Sequence, residues 1–215
     1  MTVAGWYGED DAGKIRYSIR NGGDDAQNTS ATNRTFSINL AEPLRRESLV
    51  VAAIGWGLSG SVNANSATIA GVAATKLGES DGSNVGLAVF AAVVPKGTSV
   101  IPVAVVMSGA TARSGCQISV VEGFTTSALN ASSFPAGAGT ASRSASLTIP
   151  AGGGAIAFCT DGDLVGAWSA GVTEIFRKTS VSNYGFSTAI ALANVATPVT
   201  FTNSACRVIS AVAFK

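Results

Sequence analysis

The chain has 215 residues and a net charge of +1, and only 13% of its residues are charged, about half of the roughly 25% typical of soluble domains. The near-zero net charge predicts no direct nucleic-acid contact. The chain contains no run of about 20 apolar residues, so no membrane-spanning helix is predicted. Histidine is absent, which excludes Ser-His-Asp and Cys-His catalysis and histidine-ligated metals. We therefore predict a non-enzymatic protein without a cofactor, whose charge-poor surface contacts other protein.

The first 47 residues carry thirteen of the twenty-seven charges. Within them, loose alternation predicts a first strand over residues 14–20 and a second over residues 35–40. The sequence NGGDD at residues 21–25 predicts a break after the first strand, and a polar loop follows to residue 33. We accordingly divide the chain into a charged N-terminal arm or extra hairpin, residues 1–34, and a β-sandwich domain, residues 35–215.

The centre of the chain is a succession of apolar runs separated by turn residues. Residues 49–56 are apolar on both faces, as expected of a strand at the centre of a packed sandwich. Residues 66–108 predict three strands, with turns at 78–84 and 95–98. Their only charges are two lysines and two acids at strand ends or in turns, so these strands are available for packing.

The second half of the chain continues the pattern. Residues 128–145, rich in Ala, Ser and Gly, predict a long connecting loop, and residues 172–179 are predicted to pair with residues 184–192. Further strands are predicted at residues 117–122, 146–149, 155–160, 199–202 and 207–214. Without helical periodicity, ten to twelve short strands predict an all-β fold, an antiparallel β-sandwich that is jelly-roll-like and has little helix.

Several acidic groups are candidate metal or catalytic sites. Calcium favours carboxylate and carbonyl oxygens from flexible turns, which draws attention to Asp10 with Asp11, Asp24 with Asp25, and Asp161 with Asp163. Glu79 and Asp81 resemble a glycosidase pair. Asp and Gly are equally expected in turns on conformational grounds, and we favour that interpretation, which predicts no metal and no catalytic residue.

The tryptophans and cysteines have two interpretations each. Trp6, Trp56 and Trp168 are sugar platforms or, as is more common in sandwiches, core and interface anchors. The cysteines show no metal-binding spacing. They are buried small hydrophobes, or they form one disulfide or a crosslink to a neighbouring molecule. These three residues are Cys116, Cys159 and Cys206.

The order of the apolar segments at residues 49–54, 67–75, 86–98 and 116–124, with the closing segment 207–215, resembles jelly-roll-like β-sandwich domains. Such domains are common in structural proteins of tailed bacteriophages and in bacterial surface proteins. The resemblance covers roughly residues 35–215 and includes no diagnostic functional residue. It implies a role in assembly and no particular chemistry.

Together these observations predict a structural protein of a bacteriophage particle: a capsid decoration, a collar or a tail-associated component. Its predicted partners are copies of itself, with a trimer among the candidate states, and other virion proteins. Without a secretory signal we expect synthesis in the host cytoplasm and residence in the virion. The alternative is a carbohydrate- or receptor-binding module of a phage fibre or cell surface. The predicted contact residues are Trp6, Tyr7, Arg16, Arg45, Arg46 and Trp168.

Overall fold

The structure, a computed structural model, consists of antiparallel strands joined by turns and contains no helix among the residues it describes. Short runs of β-branched residues between Gly, Pro, Asp and Ser turns favour this architecture. The described residues are 5–9, 15–57, 62–82, 85–123, 128–131, 136–161, 165–178 and 185–215.

Fifteen strands are found in this part of the chain, against the ten to twelve predicted. They are β1 Gly5–Glu9, β2 Ile15–Gln27, β3 Ala31–Asn39, β4 Ser48–Gly57, β5 Ala64–Ile69, β6 Val72–Gly82, β7 Val85–Val94, β8 Val100–Thr111, β9 Arg113–Glu122, β10 Ala128–Ala131, β11 Ala136–Ile149, β12 Gly153–Asp161, β13 Thr173–Lys178, β14 Gly185–Ala193 and β15 Thr197–Phe214.

Nine strands form one hydrogen-bonded array in the order β1-β2-β9-β4-β7-β6-β5-β8-β3. Strand β6 turns the array back on itself, because its first residues pair with β5 and the rest, from Thr75 onwards, pair with β7. We call the part from β1 to β6 sheet A, and the part formed by the start of β6 with β5, β8 and β3 sheet B. The two parts face each other as a sandwich.

The central strands of sheet A, β9, β4 and β7, are buried on both faces, and the apolar run at residues 49–56 predicted this for β4. On β4, the even-numbered residues from Val50 to Trp56 enter core 1, between sheets A and B. The odd-numbered Leu49, Val51 and Ala53 enter core 2, on the opposite face. Side chains alternate across a strand, so a continuous apolar run is what a strand needs when both of its faces are covered.

Sheet C, with the order β10-β15-β12-β14-β13, covers the second face of sheet A and completes core 2. Its own outer face forms core 3 with β11 and the first half of β15, which pair with each other through residues Arg143–Asn203 to Ile149–Thr197. The body therefore stacks sheet B, sheet A, sheet C and the β11–β15 ribbon.

A buried polar contact joins sheets A and C inside core 2. Thr188 on β14 donates a 3.0 Å hydrogen bond to Oε1 of Gln117 on β9. The Gln117 amide donates to Asn21 Oδ1 at 3.1 Å and to the Ile118 carbonyl at 2.7 Å. Buried polar groups are costly unless paired, so this contact requires the two sheets to meet in one register.

The fold class is confirmed: the protein is an all-β antiparallel sandwich. The predicted pairing of residues 172–179 with 184–192 is confirmed by β13 and β14. The predicted break at residues 21–25 is wrong, because β2 continues through them to Gln27. A bulge absorbs the glycines there: Gly23 takes a φ of 116° and its N–H donates to Asn21 Oδ1 at 3.0 Å.

Two further predictions are corrected. Residues 66–108 lie on four strands rather than three, since Ala70 and Gly71, with φ of 52° and 79°, close a two-residue hairpin between β5 and β6. Residues 128–145 are not a loop in their described part. Their Ala, Ser and Gly residues lie on β10 and β11, where pairing with β15 satisfies the backbone.

Candidate assembly surface

The outer face of sheet B is built by strict alternation along its strands. On β8, Ile101, Val103 and Val105 are buried in core 1, and the residues between them point outward. Directly paired residues on adjacent strands share a face. The pairings of Thr68 with Ala73 and Ala104, and of Ala104 with Thr35, therefore place one row across four strands.

Parallel rows extend this face in both directions. Val106 pairs with Ser66 on one side and Asn33 on the other, while Ser37 pairs with Pro102. Val100 pairs with Asn39 at the end of the sheet. We call this surface the sheet B face; it comprises Asn33, Thr35, Ser37, Asn39, Ser66, Thr68, Ala73, Val100, Pro102, Ala104 and Val106.

The sheet B face contains no charged residue. Val100 and Val106 are 45% and 46% exposed, which makes them two of the most exposed large apolar residues in the described part of the chain. The rest of the face carries short hydroxyl, amide and methyl groups. Such a surface loses little side-chain entropy on contact and has no charge to desolvate. It is suited to burial against protein.

The free edge of sheet B is already occupied. The N–H of Ser37 on edge strand β3 donates to Asp25 Oδ2 at 2.9 Å, and the Gln27 amide donates to the Thr35 carbonyl. Both partners belong to β2, so side chains bridge the two ends of the array and bring it close to a closed barrel. An exposed edge invites strand addition, and these contacts block it here. A partner of sheet B therefore meets its face.

The residues predicted as contacts lie elsewhere. Trp6 and Tyr7 are on β1 and Arg16 is on β2, and their side chains fall outside the described residues. Arg45 and Arg46 are exposed in the connection between β3 and β4, where Arg45 pairs with Glu42 at 2.8 Å. None of these five belongs to the sheet B face, and their role as contacts stays a prediction.

Trp168 is half-buried against the β11–β15 ribbon. Its indole N–H donates to Ser187 Oγ at 2.6 Å, and its ring packs edge-on against Phe201 with centroids 6.3 Å apart. The hydrogen bond holds the polar edge of the ring toward the protein, and part of the ring remains exposed. Trp56, in contrast, is 1% exposed in core 1, which agrees with the core-anchor interpretation.

Acidic candidates whose side chains are described are engaged by neighbours, whereas the side chain of Asp81 lies outside the described part of the chain. Asp24 pairs with Lys178, and Glu79 pairs with Lys76. Asp161 accepts a 2.8 Å hydrogen bond from Thr140, with Arg207 Nε 3.6 Å from its other oxygen. No group of three metal-binding side chains occurs among the described residues. Asp10, Asp11 and Asp163 lie outside those residues.

The three cysteines are fully buried and free, which confirms the small-hydrophobe interpretation over the disulfide. Burial raises the pKa of the Cys116 thiol well above its usual value, with further contributions from Asp25 and Asp24. Burial likewise raises the pKa of Cys159, and contact with the Cys206 thiol adds to the effect. Because the thiolate is the nucleophile, these two side chains are inert near neutral pH.

The sheet B face was not found from the sequence. The alternation of polar and apolar residues at 35–40 indicates one of its strands. On β8, however, the sequence Val-Ile-Pro-Val-Ala-Val-Val-Met is apolar at both odd and even positions. Only the strand pairings show which of these alternating positions are exposed.

Within the described part of the chain, no helix is long and apolar enough to cross a membrane. The chain matches no protein-family model and no curated protein sequence.

Proposed function

We propose that this protein is a non-enzymatic structural subunit of a bacteriophage particle, a capsid decoration, collar or tail-associated component, that acts by assembling with copies of itself. The observation that carries the assembly role is the uncharged sheet B face with Val100 and Val106 exposed on it. The phage setting rests on the resemblance of the strand order to virion sandwiches.

A second copy of the chain is the occupant that this face suits best. Two copies of an uncharged surface can pack together without like-charge repulsion. Such repulsion is the penalty by which charged surfaces exclude wrong partners. Association of two equivalent faces is also the commonest geometry of homo-oligomers. Each Å² of apolar surface that is buried contributes about 25 cal/mol, and the hydroxyl and amide groups of Thr35, Thr68 and Asn33 supply hydrogen bonds across such a contact.

The test of assembly compares two matched charge substitutions at exposed valines. Val106→Glu places a carboxylate on the sheet B face, in the row that Val106 shares with Ser66 and Asn33. Val195→Glu places one in the turn between β14 and β15, where Val195 is 69% exposed. Mass photometry and sedimentation are expected to show an oligomer for the wild type and for Val195→Glu, and a monomer for Val106→Glu. A wild-type monomer at high protein concentration, or an oligomer of Val106→Glu as stable as the wild type, would refute the role of this face.

Membership of a virion is tested separately. Mass spectrometry of phage particles purified by density gradient from the host is expected to detect this chain at many copies per particle. Its absence from intact particles would contradict the phage role and leave the oligomer measurement unaffected.

A carbohydrate-binding module remains the alternative because Trp168 keeps part of its ring exposed. A glycan array with the wild type and Trp168→Ala distinguishes the two functions. Binding that Trp168→Ala abolishes would favour the alternative, while an array without signal, or binding that survives the substitution, would count against it.

A further inference from the structure

The β11–β15 ribbon leaves one strand edge unpaired. Strand β11 pairs with β15 alone, in an uninterrupted register from Arg143–Asn203 to Ile149–Thr197. On its opposite edge, residues 143–149 receive no hydrogen bond from the described part of the chain. Alternate residues of a strand direct their N–H and C=O groups toward each neighbouring strand, so this edge keeps a row of open donors and acceptors.

Two other outer strands are protected against the addition of a further strand, whereas β11 is not. The edge of β3 is occupied by Asp25 and Gln27 of β2, and β13 has three charged residues among its six. Charges on an edge strand hinder its pairing with other chains. Residues 144–149 of β11 contain no charge, no proline and no bulge. Such an edge is suited to accept another strand.

The sequence of this edge is complementary to itself in antiparallel register. When Ser146 of one copy lies opposite Ser146 of another, Ser144 lies opposite Thr148 and Ala145 lies opposite Leu147. The hydroxyl side chains are exposed, whereas Ala145 and Leu147 belong to core 3. Hydroxyl groups therefore meet on the outer side and apolar groups on the side of core 3. Leu147, at 9%, is the most exposed buried residue of core 3, which places it at the rim that a second copy would cover.

We propose that the β11 edge pairs antiparallel with the β11 edge of a second copy, about a two-fold axis at Ser146. The contact rests on the assembly role proposed above and adds to it, because the ribbon and sheet B lie at opposite ends of the stacked body. Copies joined through their sheet B faces are then linked end to end.

The β11 contact is expected to be the weaker of the two. A short edge forms few backbone hydrogen bonds, each of which contributes little net free energy, and association itself is costly. The edges therefore pair at high protein concentration. At the lower concentrations that suffice for the sheet B contact, Val106→Glu remains monomeric.

Disulfide crosslinking with oxidised glutathione tests the contact and its register. Ser146→Cys places the two cysteines opposite each other at the axis, within the Cα separation of about 4.4 to 6.8 Å that a disulfide requires. In Ser144→Cys the two cysteines are four residues apart along the strands, about 14 Å, which is too far for a disulfide. Non-reducing electrophoresis should show a covalent dimer for Ser146→Cys and its loss in Ser144→Cys. The variants are matched, since each removes one exposed hydroxyl that is bonded to β15.

Repeating the crosslinking in combination with Val106→Glu separates the two self-contacts. The Ser146→Cys dimer should persist, because the sheet B face does not contribute to it. An oligomer unaffected by Val106→Glu would refute the sheet B contact and leave the β11 contact standing. Absence of the Ser146→Cys dimer, its loss when Val106→Glu is added, or an equal yield from Ser144→Cys would overturn the β11 contact.

Lysine substitutions supply the second test, read by sedimentation as growth of the assembly with rising protein concentration. Ser146→Lys places two like charges opposite each other at the axis. Thr200→Lys is the control, since Thr200 is also exposed and pairs with Ser146, but lies one strand away from the edge. Growth should be lost in Ser146→Lys and retained in Thr200→Lys. Equal growth of the two variants would contradict the proposal.

Discussion

Sheets A and B are continuous through β6 yet differ in what covers them. Sheet A lies between sheets B and C, so its central strands β9, β4 and β7 are buried on both faces, and β4 has no exposed residue. Sheet B is covered on one face only, and β8 alternates between exposed and buried residues. The difference identifies the surface that is free to bind a partner. It is the uncovered, uncharged face of sheet B, on the opposite side of that sheet from core 1.

The two sheets also manage polar groups differently. Sheet A and its contacts carry buried polar residues that are held by specific partners, such as Gln117 with Thr188. The outer face of sheet B carries short polar groups open to solvent. Since buried polar groups must be paired whereas exposed ones are hydrated, substitutions on the two sheets should differ sharply in their cost.

The largest expected effect comes from glutamate substitutions at neighbouring positions. On β4, both Val50→Glu and Val51→Glu bury an unpaired carboxylate, at a cost of about 5 kcal/mol or more, comparable to the whole stability of a domain. On β8, Val105→Glu should also abolish folding. Val106→Glu should fold, and at protein concentrations low enough for the wild type to be monomeric its free energy of unfolding should lie within about 0.5 kcal/mol of the wild type. Circular dichroism and urea titration measure this. A folded Val51→Glu would break the assignment of sheet A as a covered layer.

A smaller loss is expected from overpacking sheet A at Gly86. A Cβ at this position would lie 2.2 Å from the Trp56 ring, so Gly86→Ala should cost about 3 kcal/mol, the upper part of the usual range for added core atoms. Gly139→Ala is the control, since nothing lies within 4 Å of its Cβ. Urea midpoints that are equal for the two variants would show that Trp56 does not pack on Gly86.

A loss of similar or smaller size is expected when the polar contact between sheets A and C is removed. Thr188→Val keeps the shape of the side chain but leaves Gln117 Oε1 buried without its donor, which should cost about 1 to 3 kcal/mol. Thr200→Val, at an exposed position of the β11–β15 ribbon, should change stability little. A double variant, Thr188→Val with Gln117→Leu, should recover part of the loss, and failure to do so would contradict a direct coupling.

The smallest effect, and the only gain, is expected in sheet B. Ala70 has a φ of 52° in the β5–β6 hairpin, a conformation that asparagine tolerates better than alanine. Ala70→Asn should therefore stabilise the protein by about 0.5 to 1 kcal/mol, measured as a higher urea midpoint. Ala73→Asn, at an extended position three residues later, should give no gain. A lower midpoint for Ala70→Asn would refute the strain assigned to this turn.

Local patterns predicted the fold class, the double burial of β4 and the pairing of β13 with β14. They failed at segments rich in glycine and alanine, which were predicted as breaks or loops but lie in strands. Gly22 and Gly23 read as a break but form a bulge in β2, and the Ala, Ser and Gly residues of β11 read as a loop although β15 supplies their hydrogen bonds. Neither partner strand is near in sequence, so local propensity contains no information about them.

The candidate surface and the burial of Arg34 were beyond local patterns for the same reason. Thr35, Ala104 and Thr68 belong to three strands, and their neutrality as a group appears only once register brings them together. Arg34 is one charge in a polar stretch of the sequence, and nothing local to it predicts 1% exposure.

By itself, the sequence determined that this protein is antiparallel β-structure with a low surface charge, because strand periodicity and composition are local properties of the chain. Only the tertiary structure decided that sheet A is a covered middle layer, that sheet B keeps an open face, and that Arg34 is almost fully buried. These outcomes depend on pairings between strands far apart in sequence, and the free energy of burial is set by the neighbour that covers each face rather than by the residue itself.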